Sequence, residues 1–186
     1  MKLGYEWKTI TQKYELLTYI GSGSFGQVIK ARSLETGDFV AIKQIKNIFR
    51  NHYECRKVIR EISILRQLSD MEDNLFTPKL IDIVIPTKKG KDGKDKFEDI
   101  FIIMEHYHQN LNCVFTRVKS NSFTEEHVIT IMYNMLCAVN FLHTANVMHR
   151  DLKPSNILLT NQCNVILCDF GLARTMPLSE KQLQER

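Results

Sequence analysis

No run in this sequence approaches the roughly 20 consecutive apolar residues that a membrane-spanning helix needs. The opening segment Met1-Lys-Leu-Gly-Tyr-Glu-Trp-Lys8 also lacks the apolar core of a secretion signal. No Cys-x-x-Cys pair occurs, and the five cysteines (Cys55, Cys113, Cys137, Cys163 and Cys168) are odd in number and scattered. Both a zinc site and a disulfide framework are thereby disfavoured, which points to a reducing compartment. Net charge is a mild +4. Its basic excess gathers partly in Thr87-Lys-Lys-Gly-Lys-Asp-Gly-Lys-Asp-Lys96, the pattern of a solvated loop and not of a nucleic-acid stripe. There is no internal repeat. What these absences leave is a soluble protein of the cytoplasm or nucleus, with neither nucleic acid nor membrane as its partner.

What is present is a chain of 186 residues, 44% hydrophobic and 25% charged, which is globular and long enough for one domain or two small lobes. Residues 1–13 read as a polar lead-in. Strands are expected at Tyr14-Glu-Leu-Leu-Thr-Tyr-Ile20, Gln27-Val-Ile-Lys-Ala-Arg32, Phe39-Val-Ala-Ile-Lys-Gln44, Leu80-Ile-Asp-Ile-Val-Ile85 and Ile100-Phe-Ile-Ile-Met104, all rich in β-branched, aromatic or aliphatic residues. The last two flank the basic loop 86–98. A helix over 55–68 carries apolar residues at 58, 62, 65 and 68. A second long helix begins at Thr124, a good cap, with Glu125 and Glu126 suiting the helix dipole in its first turn. Its stripe is expected along Val128, Met132, Met135, Val139 and Leu142, where the methionines fill core. Ile157-Leu-Leu159 and Val165-Ile-Leu-Cys168 form a hairpin.

Three stretches carry chemistry. Gly21-Ser-Gly-Ser-Phe-Gly26 joins strand to strand, whereas a dinucleotide fingerprint would need a helix after its glycines. Two readings stay open: a plain hairpin turn, or bare backbone amides that approach phosphate oxygens, with Val28 and Ala41 facing a flat apolar ligand. Lys43 ends an apolar strand and Glu61 lies beside the helix stripe. Each alone reads as a surface residue; together they make a lysine held by a carboxylate and placed to contact phosphate. The richest stretch is Val147-Met-His-Arg-Asp-Leu-Lys-Pro-Ser-Asn-Ile-Leu-Leu159. Pro154 forbids a continuing helix, so His149, Asp151, Lys153 and Asn156 sit on a loop that can aim a carboxylate and an amide at one point. Asp169 adds a second acid straight after an apolar strand.

In their order, Gly21-x-Gly23-x-x-Gly26-x-Val28, Val40-Ala-Ile-Lys43, Glu61, His149-Arg-Asp-Leu-Lys-Pro-Ser-Asn156 and Asp169-Phe-Gly171 resemble the eukaryotic protein kinase family over residues 14–175. Lys153 is similar to the serine/threonine branch, and the wording through Cys168-Asp-Phe-Gly-Leu-Ala-Arg174 to the mitogen-activated protein kinase group. The resemblance implies an α+β, bilobal kinase-like fold: lead-in 1–13, small β-sheet lobe 14–104 with one helix, hinge 105–110, and the first part of a helical large lobe over 111–186. It implies ATP and Mg²⁺ as cofactors, protein serine or threonine hydroxyls as substrates, and an upstream activating kinase.

By the same resemblance, Ile20, Gly21, Ser22, Gly23, Ser24, Phe25 and Gly26 cover the ATP phosphates. Lys43, held by Glu61, contacts the α- and β-phosphates. Val28, Ala41 and Leu158 sandwich the adenine, Met104 is the gatekeeper, and Glu105 to Tyr107 supply the hinge backbone. Asp151 takes or orients the substrate hydroxyl proton, Lys153 steadies the γ-phosphoryl, and Asn156 and Asp169 hold Mg²⁺. His149, Phe170 and Leu65 belong to a stacked apolar column. Cys168 is either an ATP-protected thiol or an inert buried one.

Some family features are missing. No Ala-Pro-Glu motif follows, no Thr-x-Tyr pair occurs after Arg174, and Asn110 stands before Leu111 where the family often has Asp. The expectation is a truncated chain whose 124–145 helix exposes an apolar patch. Two other readings compete: a catalytically silent kinase-like module that binds nucleotide or a partner, and a small-molecule phosphotransferase of related fold. The intact charged positions weigh against the first, and Arg150, Lys153 and Asp169-Phe-Gly171 against the second.

Overall fold

The computed structural model describes residues 4–23, 26–89, 95–117 and 123–177. They form two compact units, Met1–Arg56 with Lys79–His106 and Lys57–Pro78 with Tyr107–Arg186. In the first, a short helix α1 (Trp7–Thr11) precedes strands β1 (Tyr14–Gly23), β2 (Gly26–Ser33) and β3 (Phe39–Ile45). Helix α2 (His52–Ser69) follows, its first turn in this unit and the rest in the second. Then come β4 (Leu80–Val84), a hairpin of β5 (Thr87–Lys89) and β6 (Asp95–Phe97), and β7 (Ile100–Glu105). The five expected strands are all found, as one antiparallel sheet ordered β1-β2-β3-β7-β4.

Alternation decides the two faces of this sheet. Ile29, Ala31, Val40, Ile42, Phe101 and Ile103 lie on one face and form the core with Trp7, Ile10 and Tyr14. Residues 1–13 are therefore not a polar lead-in. Trp7 and Ile10 are 2% and 0% exposed, and the Trp7 ring meets Phe101 edge-on at 4.8 Å. A five-residue helix without a side-chain cap leaves too short a pattern for periodicity to reveal. Truncating Trp7 to Ala should cost about 3–5 kcal/mol of stability, read as a lowered denaturation midpoint; an unchanged midpoint would show that the helix is not part of the core. A second correction concerns the basic loop, which contains the β5–β6 pairing.

In the second unit, residues 57–78 pack beside β8 (Gln109–Asn110), α3 (Leu111–Arg117), α4 (Glu125–Thr144), β9 (Val147–Met148), β10 (Ile157–Leu159), β11 (Val165–Leu167) and β12 (Arg174–Thr175). Most of α2 belongs here because Gln67 donates to the Ala145 carbonyl, while past the helix Phe76 meets Phe141 at 5.3 Å and its carbonyl accepts from Leu167 N–H. The expected boundary at 104 had kept the whole helix with the sheet. The expected hairpin is present, Leu158 opposite Ile166, with β8 added at its edge.

Thr124 caps α4 as expected, in a capping box completed by the His127 side chain. The expected stripe is only partly right. The buried residues are Ile131, Ala138, Phe141 and Leu142, while Val128 and Met132 are 45% and 50% exposed. Ile129, Tyr133 and Leu136 are exposed beside them. Helix α4 is apolar on two faces, so period alone could not choose between them; Asn134, bonded to the Cys163 carbonyl, marks the face that meets the hairpin. No helix among the described residues is long and apolar enough to cross a membrane.

Candidate active site

The sheet of the first unit sorts the nucleotide candidates by face. Val28 pairs with Lys43 and Ala41 with Met104, so these four share the face opposite the Ile29–Ile42–Phe101 core. Gly21 stands opposite Val28, and Ser22 and Gly23 opposite Gln27 and Gly26. The glycine-rich segment thus is a strand-to-strand hairpin. Gly26 cannot carry a side chain there, because a Cβ would collide with the Gln44 carbonyl oxygen. Ile20 is exposed at the β1 bulge beside Gly21, and Ser24 and Phe25 lie outside the described residues. Glu105 donates its N–H to the Lys79 carbonyl and accepts the Lys79 N–H on its side chain, each at 3.1 Å.

The second unit gathers the charged candidates. Pro154 opens a 3-10 turn, Pro154–Asn156, that brings Asn156 back to Asp151. The Asn156 amide Nδ2 donates to the Asp151 carbonyl and to Asp151 Oδ2, both at 2.9 Å. Planarity of the amide then turns Asn156 Oδ1 away, as an acceptor or ligand atom. Lys153 Nζ donates to the same Asp151 Oδ2 at 2.8 Å. This bond, above all, holds the Asp151 carboxyl below its usual range and raises the half-exposed Lys153 ammonium. Asp151 is therefore anionic at neutral pH, a state lost only as pH falls below the ordinary carboxylate range. Asp169 and Arg150 both adopt left-handed backbone, φ 67° and 68°, which costs energy for residues with a Cβ and tends to cluster at functional sites.

His149 ties these pieces together. Asp151 N–H donates to its Nδ1 at 3.3 Å, so Nδ1 is bare and the proton sits on Nε2, 3.0 Å from the Cys168 carbonyl. Its ring lies 5.1 Å from that of buried Phe170. Cys168 N–H donates to the Asn156 carbonyl at 3.0 Å, which closes the connection from Asn156 to Asp169. Burial pushes the His149 pKa below its usual value. With the folded value depressed, the unfolded chain takes up the proton first, so stability falls as pH drops through about 6.5 and levels off below the folded value. Denaturation midpoints should decline over that window, and His149→Gln should flatten the decline; equal pH slopes in both chains would contradict this.

Glu61 is buried, at 2% exposure, on the α2 face formed with Val58, Ile64, Leu65 and Leu68. Buried carboxylates persist only when paired. Leu158 is half-buried on β10, while Met104 and Tyr107 are half-buried in their own units. Among the described residues no three His, Cys, Asp or Glu side chains gather as a metal cage. The oxygen donors Asp169 and Asn156 suit a hard cation such as Mg²⁺.

The family model for the protein kinase domain matches residues 14–186. The chain belongs to the protein kinase family. Similar proteins include mitogen-activated protein kinase 11 of Oryza sativa subsp. japonica, 40% identical over 166 residues, 87% of this chain and 26% of that one. Mitogen-activated protein kinase 10 of Arabidopsis thaliana is 39% identical over 86% of this chain and 38% of its own length. Mitogen-activated protein kinase 15 of Xenopus laevis is 38% identical over 90% and 26%. The kinase chain thus spans less than half the length of these curated relatives.

Within this kinase chain, the residues that sequence reasoning missed are supports. Asn110 Oδ1 accepts the Cys113 N–H at 2.8 Å and so caps α3, the service an Asp would give. β12 pairs with β9, Arg174 opposite Met148, and fixes the exit of the segment after Asp169. Two-residue strands carry no periodic signal, which is why the sequence did not reveal them.

Proposed function

We propose that this kinase chain is the ATP- and Mg²⁺-handling part of a serine/threonine protein kinase of the mitogen-activated type, transferring the ATP γ-phosphoryl group to protein hydroxyls. The observation that carries the reading is the bonded set Lys153–Asp151–Asn156, continued through Cys168 to Asp169. The chemistry that Mg²⁺ would supply when bound is neutralisation of the phosphate charge. Asp169 and Asn156 Oδ1 would hold it. Asp151, kept anionic by Lys153, accepts or orients the proton of the attacking hydroxyl. Lys153 supplies positive charge where the transferring group develops negative charge. In the sheet unit, Val28, Ala41 and Met104 give one apolar face for the adenine, with Lys43 beside them for the phosphates.

Five free cysteines suit a reducing cytoplasm or nucleus. Protein substrates and an upstream activating kinase complete the proposal. The test is incubation with labelled ATP, Mg²⁺ and serine-, threonine- or tyrosine-bearing protein acceptors. Label on serine or threonine that vanishes with EDTA is expected. Tight Mg-ATP binding with no acceptor labelled would instead favour a silent nucleotide-binding module.

A further inference from the structure

On the core face of the sheet, β2 and β3 run out of apolar residues at the same level, where Gln44 stands opposite Phe101, and the approach to β7 does so one inward position further on. Along β3 the inward positions read Val40, Ile42, Gln44; along β2 they read Ala31, Ile29, Gln27; and leading into β7 they read Ile103, Phe101, Asp99. Gln44 is 0% exposed, at a place where alternation calls for another aliphatic residue. Its side chain is used at both ends: Gln27 Nε2 donates to Gln44 Oε1 at 2.9 Å, and Gln44 Nε2 donates to Asp99 Oδ2 at 2.7 Å. Asp99 Oδ1 in turn accepts the Asn47 N–H at 3.0 Å, and the Glu98 carbonyl accepts the Ile48 N–H at 2.9 Å. One buried amide therefore joins the return strand of the glycine-rich hairpin, the entry to β7 and the turn after β3.

We propose that Gln44 is a positioning residue for nucleotide binding, a relay that fixes the glycine-rich hairpin against β3 and so sets Val28 and Lys43 in register on the opposite face. Gln44 follows Lys43 directly, so anchoring one side chain on the core face projects the other away from it. Gly26 and Gln27 are the first residues after the hairpin tip, and the missing Cβ of Gly26 lets β2 lie against the Gln44 carbonyl. A network whose middle member is buried and whose ends are half-buried acts as a unit: removing Gln44 strands the donor at one end and the carboxylate at the other. The relay rests on the proposed nucleotide function.

The experiment compares the full chain with Gln44→Leu, Gln44→Glu, and Gln44→Glu combined with Asp99→Asn. Two quantities are read: amide exchange at Asn47 and Val28 without nucleotide, and the Mg-ATP dissociation constant. Gln44→Leu should speed exchange and weaken Mg-ATP by about tenfold each, the loss of one charge-assisted hydrogen bond. Gln44→Glu sets two carboxylates together and should do the same or worse. In the double variant, the amide introduced by Asp99→Asn donates where the carboxylate accepted and its oxygen still takes the Asn47 N–H, so both quantities should return to within about twofold. Leucine that leaves both quantities unchanged overturns the relay, as does faster exchange with unaltered Mg-ATP affinity. A parent chain that binds no Mg-ATP sinks the functional reading instead, while the exchange data still judge the relay's geometry.

Discussion

Replacing Asp151 by Asn should lower phosphoryl transfer by about 10²–10⁴-fold, the range for removing a positioned general base. Mg-ATP affinity should stay within about twofold, since the amide adds no bulk and the proposed metal ligands Asp169 and Asn156 are untouched. The split follows from the geometry. Asp151 Oδ2 already receives Lys153 and Asn156 donors at 2.8 and 2.9 Å, so its placement is fixed before any substrate arrives. An amide in the same place can accept those bonds through its oxygen, yet it cannot take up a proton. Equal losses in affinity and transfer would instead make Asp151 a structural member of the loop.

The second large effect is expected at Asp169. Asp169→Asn should reduce Mg-ATP affinity to the value measured in EDTA, a loss of at least the roughly 10–100-fold that outer-shell partners of a metal contribute. The carboxylate is held on a left-handed residue between Cys168, bonded to Asn156, and buried Phe170, packed on His149. That frame persists in the variant, so the denaturation midpoint should change little while the magnesium dependence disappears. Magnesium-dependent affinity retained by the variant would move the metal elsewhere.

Much of this was legible in the residues because strong local rules wrote it. Phe39-Val-Ala-Ile42 is an apolar run ended by Lys43, so the strand follows, and Val28, Ala41 and Lys43 fall together once the register is known. Pro154 forces the loop that returns Asn156 to Asp151. What stayed hidden depends on partners distant in sequence. Trp7 reads as an end residue until Phe101 is placed against it. Ile131 and Met132 are equally apolar, and the face that is buried is marked by the Asn134–Cys163 bond and by Phe76 against Phe141. The His149 tautomer likewise rests on two main-chain groups, Asp151 N–H and the Cys168 carbonyl, which lie 2 and 19 residues away.

Mn²⁺ in place of Mg²⁺ gives the most direct measurement. With ATP and Mn²⁺ bound, nuclear resonance signals of Asn156 and Asp169 should broaden beyond detection, while those of the α4 N-terminus around Thr124 stay sharp. Sharp signals at Asn156 and Asp169 under saturating Mn-ATP would contradict a phosphoryl-transfer site at these residues.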